Sequence, residues 1–232
     1  MAYTPDDVLY YNYIGDVKNL RIALNYSNNS KKWFKNKDGW NALHLSCGQG
    51  HSECARVLID AGITINEKEF LHNHTALHLA SIQDHSDCLR VLVDEGADIE
   101  RRNSKGRTAY HIASYLGHYE CLRLMIEKGL HNIDSTDRHG NASLHLSVQK
   151  NHIDCVILLL DNGSNVNIKT SDHHSNTCLH LAAAKNLVDM VMLLISRGAD
   201  VNILNKRRHS ALCKAANRGY MEIVSILIRK GY

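Results

Sequence analysis

Four times along this 232-residue chain a histidine is followed seven residues later by a second histidine, and three residues after that by a cysteine. The sets are His44/His51/Cys54, His78/His85/Cys88, His111/His118/Cys121 and His145/His152/Cys155. Imidazole and thiolate are good zinc ligands, so four metal sites are the first chemistry to weigh. The series then lapses without disturbing its surroundings. The next unit keeps His180 but has Leu187 and Met190 in the other two places, and the last has Cys213, Tyr220 and Ile223. A third position that accepts Cys, Met or Ile is a buried apolar position, not a ligand. No metal ligand and no cofactor is expected.

Catalytic arrangements fare no better. No Gly-rich phosphate loop follows a predicted strand. No Ser or Cys stands beside a dedicated base. Paired acids such as Asp6 and Asp7 sit in ordinary helix-start contexts. The chain reads as non-catalytic.

The elements that would hold these histidines are repeats. "TALHLA" at 75–80 returns as "NALHLS", "TAYHIA", "ASLHLS", "TCLHLA" and, without histidine, "SALCKA". From each of His44, His78, His111, His145, His180 and Cys213 it is 18 residues to a glycine: Gly62, Gly96, Gly129, Gly163, Gly198 and Gly231. The body of each unit therefore has fixed length, and length varies only after the glycine, as in a packed helix pair followed by a surface loop. Asn41, Thr75, Thr108, Thr177 and Ser210 are good N-cap residues for the first helix; Ala142 is not. Stretches such as "CARVLIDAG" carry helically spaced apolar residues before a C-terminal glycine.

On these motifs the sequence resembles the ankyrin repeat family. "GRTAYHIASYLGHYECLRLMIEKG" at 106–129 follows that family's pattern closely, and "GADIE", "GSNVN" and "GADVN" follow its loop segment. The resemblance implies an all-α solenoid of stacked helix-turn-helix units with β-hairpin-like loops. It covers six units in one continuous domain, at about 35–66, 67–100, 101–134, 135–167, 168–202 and 203–232, preceded by a degenerate capping unit at 1–34. It also implies a structural role for His44, His78, His111, His145 and His180, whose rings would tie the first helix to loop backbone. Two departures stand out. The family's proline after the threonine is missing in every unit, which costs each about 1 kcal/mol or less and predicts moderate stability. Asn73, Ser175 and Arg208 replace the loop glycine, so altered turns are expected there.

Composition fits a globular chain, with 44% hydrophobic and 22% charged residues. The N-terminus lacks the basic region of a secretory signal, and no apolar run approaches a membrane span. Seven cysteines at helical positions read as buried thiols, which points to a reducing cytoplasmic or nuclear setting. The chain stops directly after its last helix, whose apolar residues lack a polar cap; a domain of a longer protein is expected.

Short helix pairs cannot bury their apolar faces alone, so they stack and leave a surface lined by loop tips and first-helix ends. In the resembled family that surface carries most partner contacts. The matching positions are Lys37, Asp38, Trp40 and Gln49, then Leu71, His72, His74, Ile82 and Gln83, then Lys105, Arg107, Tyr115 and Leu116. They continue with Arg138, His139, Asn141 and Lys150, then His173, His174, Asn176 and Lys185, then Lys206, Arg207, His209 and Arg218. Trp40, Leu71, Ile82, Tyr115 and Leu116 are expected as exposed apolar anchors.

The segments 31–40, 67–74, 101–107, 134–141, 168–176 and 203–209 together hold 14 Lys or Arg against 6 Asp or Glu, although the whole chain is only +3. Positive charge is thus concentrated in the loops. The expected partner is a protein or peptide with acidic and apolar residues, its acidic side towards 101–218 and its apolar side towards Trp40 and Tyr115. A targeting or regulatory module of a larger enzyme or ubiquitin-ligase complex is the alternative function. A nucleic-acid-associated regulator fits less well, because the loops lack a contiguous Lys/Arg stripe with interleaved aromatics.

Overall fold

The computed structural model describes residues 3–26, 35–129 and 132–231. The last eight residues of the expected capping unit, 27–34, and with them Lys31 and Lys32, lie outside the described residues. Helices occur in pairs: α1 (Pro5–Ile14) with α2 (Val17–Tyr26), α3 (Ala42–Gln49) with α4 (Ser52–Asp60), and α5 (Ala76–Ile82) with α6 (Ser86–Asp94). They continue as α7 (Ala109–Leu116) and α8 (Tyr119–Glu127), α9 (Ser143–Lys150) and α10 (Ile153–Asp161), α11 (Cys178–Ala184) and α12 (Val188–Ser196), then α13 (Ala211–Ala216) and α14 (Met221–Gly231).

The chain forms two compact units: residues 1–113 with 120–130, and residues 114–119 with 131–232. In unit 1 the first helices stack in the order α1, α3, α5, and the second helices as α2, α4, α6. In unit 2 α9, α11 and α13 stack likewise, and α12 packs on α14. The second helices supply much of each core through a repeated apolar spacing, such as Cys54, Ala55, Val57 and Leu58, or Cys88, Leu89, Val91 and Leu92. All seven cysteines are free, and all but Cys213 are buried. Burial pushes the Cys54 thiol up to about 11, and those of Cys121 and Cys178 higher still, so these thiols stay protonated and unreactive.

The first and second helices of a pair meet at a left-handed residue, among them Gly50 (φ 84°) and Gly117 (φ 84°). That turn explains the second histidine of the recurrent triads. The ring of His85 lies on Gly50, where a Cβ would come within 2.9 Å of it, and the His152 ring lies on Gly117, where a Cβ would come within 2.5 Å. The Nε2 of His152 donates to the Tyr115 carbonyl at 3.1 Å, and that of His51 to the Tyr13 carbonyl at 3.1 Å. These rings are packing elements seated on the preceding turn.

The loops are less strand-like than hairpins. Among the described residues β-pairing is confined to two isolated antiparallel bridges, Thr136 with Ala142 and Lys169 with Thr177. No helix of the described residues is long and apolar enough to cross a membrane.

Candidate protein-interaction surface

Five of the first helices, α3, α5, α7, α9 and α11, are anchored by a motif histidine; α1 has Asp7 and α13 has Cys213 at that position. An N-terminal capping box ordinarily needs a Glu or Gln at the third helical position to accept the N-cap amide. Here Nδ1 of the histidine accepts it: from Thr75 N to His78 at 3.2 Å, from Ala142 N to His145 at 3.2 Å and from Thr177 N to His180 at 3.2 Å. The hydroxyls of Thr75, Thr108 and Thr177 donate to the same atom at 2.9, 2.7 and 2.7 Å. With Nδ1 accepting, Nε2 carries the hydrogen. It donates to loop backbone of the following repeat: the Arg107 carbonyl from His78 (3.0 Å), Ile168 from His145 (3.1 Å) and His209 from His180 (2.9 Å). The neutral ring is the form that makes every bond. Burial pushes His78 down to about 4, and lowers His145 and His180 as well.

His44 keeps the backbone bond, Asn41 N to Nδ1 at 3.2 Å, but departs at the N-cap side chain, which is an asparagine. The Asn41 Oδ1 accepts the His44 amide at 3.0 Å and also faces His44 Nδ1 at 2.7 Å. A threonine hydroxyl accepts one bond and donates the other. A single amide oxygen cannot donate, and turning the amide over would lose the first bond to make the second.

The motif histidines therefore hold the loops, and the loops build the tips. The first residue of each tip donates its amide to the carbonyl of the last: Asn36 to Trp40, Glu69 to His74 and Asn103 to Arg107 in unit 1, and Asp137 to Asn141, Thr170 to Asn176 and Asn205 to His209 in unit 2. Inside the four shortest tips the first residue's side-chain oxygen collects two amides. Asn103 Oδ1 takes those of Lys105 (2.9 Å) and Arg107 (3.0 Å), and Asn205 Oδ1 takes those of Arg207 (3.0 Å) and His209 (3.0 Å). Asn36 and Asp137 do the same. The tip at 69–74 is one residue longer, and a longer side chain serves it: Glu69 accepts from Leu71, His72 and His74 at 2.7–2.9 Å. Burial would raise Glu69, but these amides outweigh it and the carboxyl sits below its ordinary pKa. In the longest tip Asp172 and Thr170 share the task.

Asn73, Ser175 and Arg208 keep the left-handed conformation of the glycines they replace, at φ 57°, 52° and 59°. The altered turns expected there are real for the two longer tips. The tip of Arg208 keeps the short form, so at that position only the residue has changed and not the shape.

Within each unit the tips are tied backbone to backbone. Phe70 N donates to Asp38 O (3.0 Å) and Ser104 N to His72 O (2.8 Å) in unit 1. Ser171 N donates to Gly140 O (2.9 Å) and Lys206 N to His174 O (3.0 Å) in unit 2. The tips are thus fixed frames from which side chains project.

The expected anchors divide on this frame. Leu71 is 72% exposed and Leu116 is exposed. Trp40, Ile82 and Tyr115 are only half-buried surface, not fully exposed anchors. Trp40 lies along its own helix, over the bare backbone of Gly48 and beside the His44 ring. Tyr115 has the Lys150 ammonium 4.5 Å from its ring centre. Sequence reasoning passed over Phe70, which is 66% exposed with its ring flat on Gly39 and the Lys35 ammonium 5.5 Å away. The signal was present: Phe70 stands where the other tips have Lys37, Ser104, Arg138, Ser171 and Lys206.

Among the polar positions, Lys37, Asp38, Gln49, His72, Gln83 and Lys105 are exposed in unit 1. Arg138, His139, Lys150, His173, Lys185, Lys206, Arg207 and Arg218 are exposed in unit 2, while His174 and His209 are half-buried. Several have work inside the fold. His74 is half-buried beside the Glu69 carboxylate, 3.7 Å away. Asn141 accepts from Gln149 and Asn176 from Asn205. Lys185 donates to the Gln149 carbonyl at the end of α9, and Arg218 to Ala184 at the end of α11. Cations there complement the negative end of the helix dipole.

None of the four His-x6-His-x2-Cys sets brings three ligand atoms together among the described residues.

Tips fixed on stacked helix pairs, five of them pinned by a histidine at the third helical position, define an ankyrin repeat protein. Family models for ankyrin repeats match residues 10–103, 100–170 and 174–206, and the chain belongs to the ankyrin repeat family. Its structure is similar to the ankyrin repeat domain of Bcl-3, a member of the IkappaB family, with a TM-score of 0.85 and 28% identity over 94% of this chain and 97% of that one. It is also similar to the human ASB11 ankyrin repeat domain (TM-score 0.80, 25% identity, 94% and 96% covered) and to the ankyrin repeat protein EF0377 (TM-score 0.75, 27% identity, 81% and 96% covered). No curated protein sequence matches the chain significantly. Ankyrin repeats are generally protein–protein interaction modules and typically non-catalytic.

Proposed function

We propose that this chain is a non-catalytic scaffold that binds a partner protein or peptide on its loop tips and first-helix ends. The observation that carries the reading is the rigidity of the tips. Side-chain oxygens organise each one and backbone bonds link neighbours within a unit, so little conformational freedom is left to lose on binding. Unit 1 offers an apolar anchor at Phe70 and Leu71. Unit 2 offers the cations Arg138, Lys206 and Arg207. A partner with an apolar residue for the first and acidic residues for the second fits this chemistry. Free, buried thiols suit a reducing cytoplasmic or nuclear setting.

The test is capture on the wild-type chain, followed by affinity measurement for two variants, Phe70→Ala with Leu71→Ala, and Arg138→Ala with Lys206→Ala and Arg207→Ala. The first should weaken binding at any ionic strength. The second should weaken it mainly at low salt. A captured partner that binds both variants as tightly as the wild type removes the tips from the binding surface.

A further inference from the structure

The tip from Thr170 to Asn176 is the longest of the six, and its added length carries the run Asp172-His173-His174. A carboxylate oxygen and one nitrogen from each imidazole lie within 4.8 Å of one another, the one such trio of His, Cys, Asp or Glu among the described residues. The two rings lie close together in a tilted arrangement, centroids 3.9 Å apart and inclined by 43°. Asp172 is fixed in place: its Oδ1 accepts from Thr170 Oγ1 (2.6 Å), His174 N (3.0 Å) and Ser175 N (3.0 Å). All of these bonds land on Oδ1. Ser175, in the left-handed region at φ 52°, turns the chain back behind the cluster.

The geometry points to a three-ligand site for a divalent transition-metal ion on this tip, with its remaining coordination positions open to water or to a partner side chain. Two imidazoles and a carboxylate suit zinc, nickel or copper, whereas calcium and magnesium need sets of oxygen ligands. Metal–ligand bonds of about 2.0–2.2 Å place the ligand atoms of a tetrahedral site about 3.4 Å apart. Rotation of the exposed His173 ring supplies the closure from the present spacing. The Lys206 amide bonds to the His174 carbonyl, which brings the basic tip 205–209 alongside. Charge alone would not hold a cation beside it, so affinity comes from imidazole coordination.

The experiment is calorimetric titration of the whole chain with zinc chloride and with nickel chloride, for the wild type and for His173→Ala, His174→Ala, His173→Gln and His139→Ala. The chain has 16 histidines, so variants, not binding alone, locate the site. One equivalent should bind to the wild type and to His139→Ala, unaffected by excess magnesium. Each substitution at 173 or 174 should weaken it by more than the roughly 10–100-fold that loss of an outer-shell partner costs. Zinc should raise the unfolding temperature of the wild type but not of those variants. His173→Gln preserves the size of the side chain, so its loss of binding is not a loss of fold. No one-site binding, or one-site binding that survives a substitution at either histidine, overturns the assignment.

Discussion

His74 and His78 are four residues apart and belong to different kinds of structure. His78 is buried, with Nδ1 accepting from the cap and Nε2 donating to the Arg107 carbonyl. His74 and the other tip histidines, such as His72 and His139, stand half or fully in solvent and join the tip frame through their backbone groups. The motif series recurs at near-constant spacing because each ring closes the same bonds, while the tips vary in length and in side chain. Regular chemistry in a repeat array marks construction, and the proposed function assigns recognition to the irregular positions.

The contrast can be broken first by substitution. His78→Ala orphans the Thr75 amide and the Arg107 carbonyl and opens a cavity, so it should destabilise the chain by about 2–4 kcal/mol in urea unfolding. His139→Ala at an exposed tip should stay within about 0.5 kcal/mol. Equal effects would erase the distinction between the two populations.

Acid sharpens it next. The folded-state pKa of His78, about 4, lies below its ordinary 6.5. Its contribution is therefore complete above about pH 6.5 and is lost as pH falls towards 4. The shift corresponds to on the order of 3 kcal/mol. His78→Gln keeps an acceptor for the cap amide but does not titrate, so its stability should fall less steeply across that window. A parallel pH profile for wild type and variant would contradict the assignment of a neutral ring.

Asn41→Thr tests a cap whose side-chain oxygen cannot both accept and donate. A threonine hydroxyl would accept the His44 amide and donate to Nδ1, a gain of about 1 kcal/mol. Arg208→Gly is the smallest effect. It relieves a left-handed non-glycine residue at φ 59° and should stabilise by about 0.5 kcal/mol, the relief partly offset by the greater freedom of unfolded glycine.

The helix pairs were legible in the sequence because their length is fixed at 18 residues from motif position to glycine, with helically spaced apolar residues between. The second histidine was legible as a replaceable position, since Leu187 and Tyr220 stand in its place, but its seat on the glycine turn was not, because that contact joins different repeats. Glu69 shows a further limit. An acid in a loop reads as a solvated charge, and only the longer closure from 69 to 74 reveals that it is buried and accepts three amides. Trp40 reads as an exposed anchor until Gly48 is seen to leave room for its ring. Exposure at a tip depends on what the neighbouring tip presents, as Gly39 does for Phe70.

The central claim separates construction from recognition, and one paired measurement bears on it most directly: unfolding free energy and partner affinity for His78→Gln and for Phe70→Ala with Leu71→Ala. The histidine variant should lose stability while its folded form binds with wild-type affinity. The tip variant should lose affinity while remaining as stable as the wild type to within about 1 kcal/mol. The reverse pattern, with binding lost at His78 and stability lost at the tip, would contradict the account.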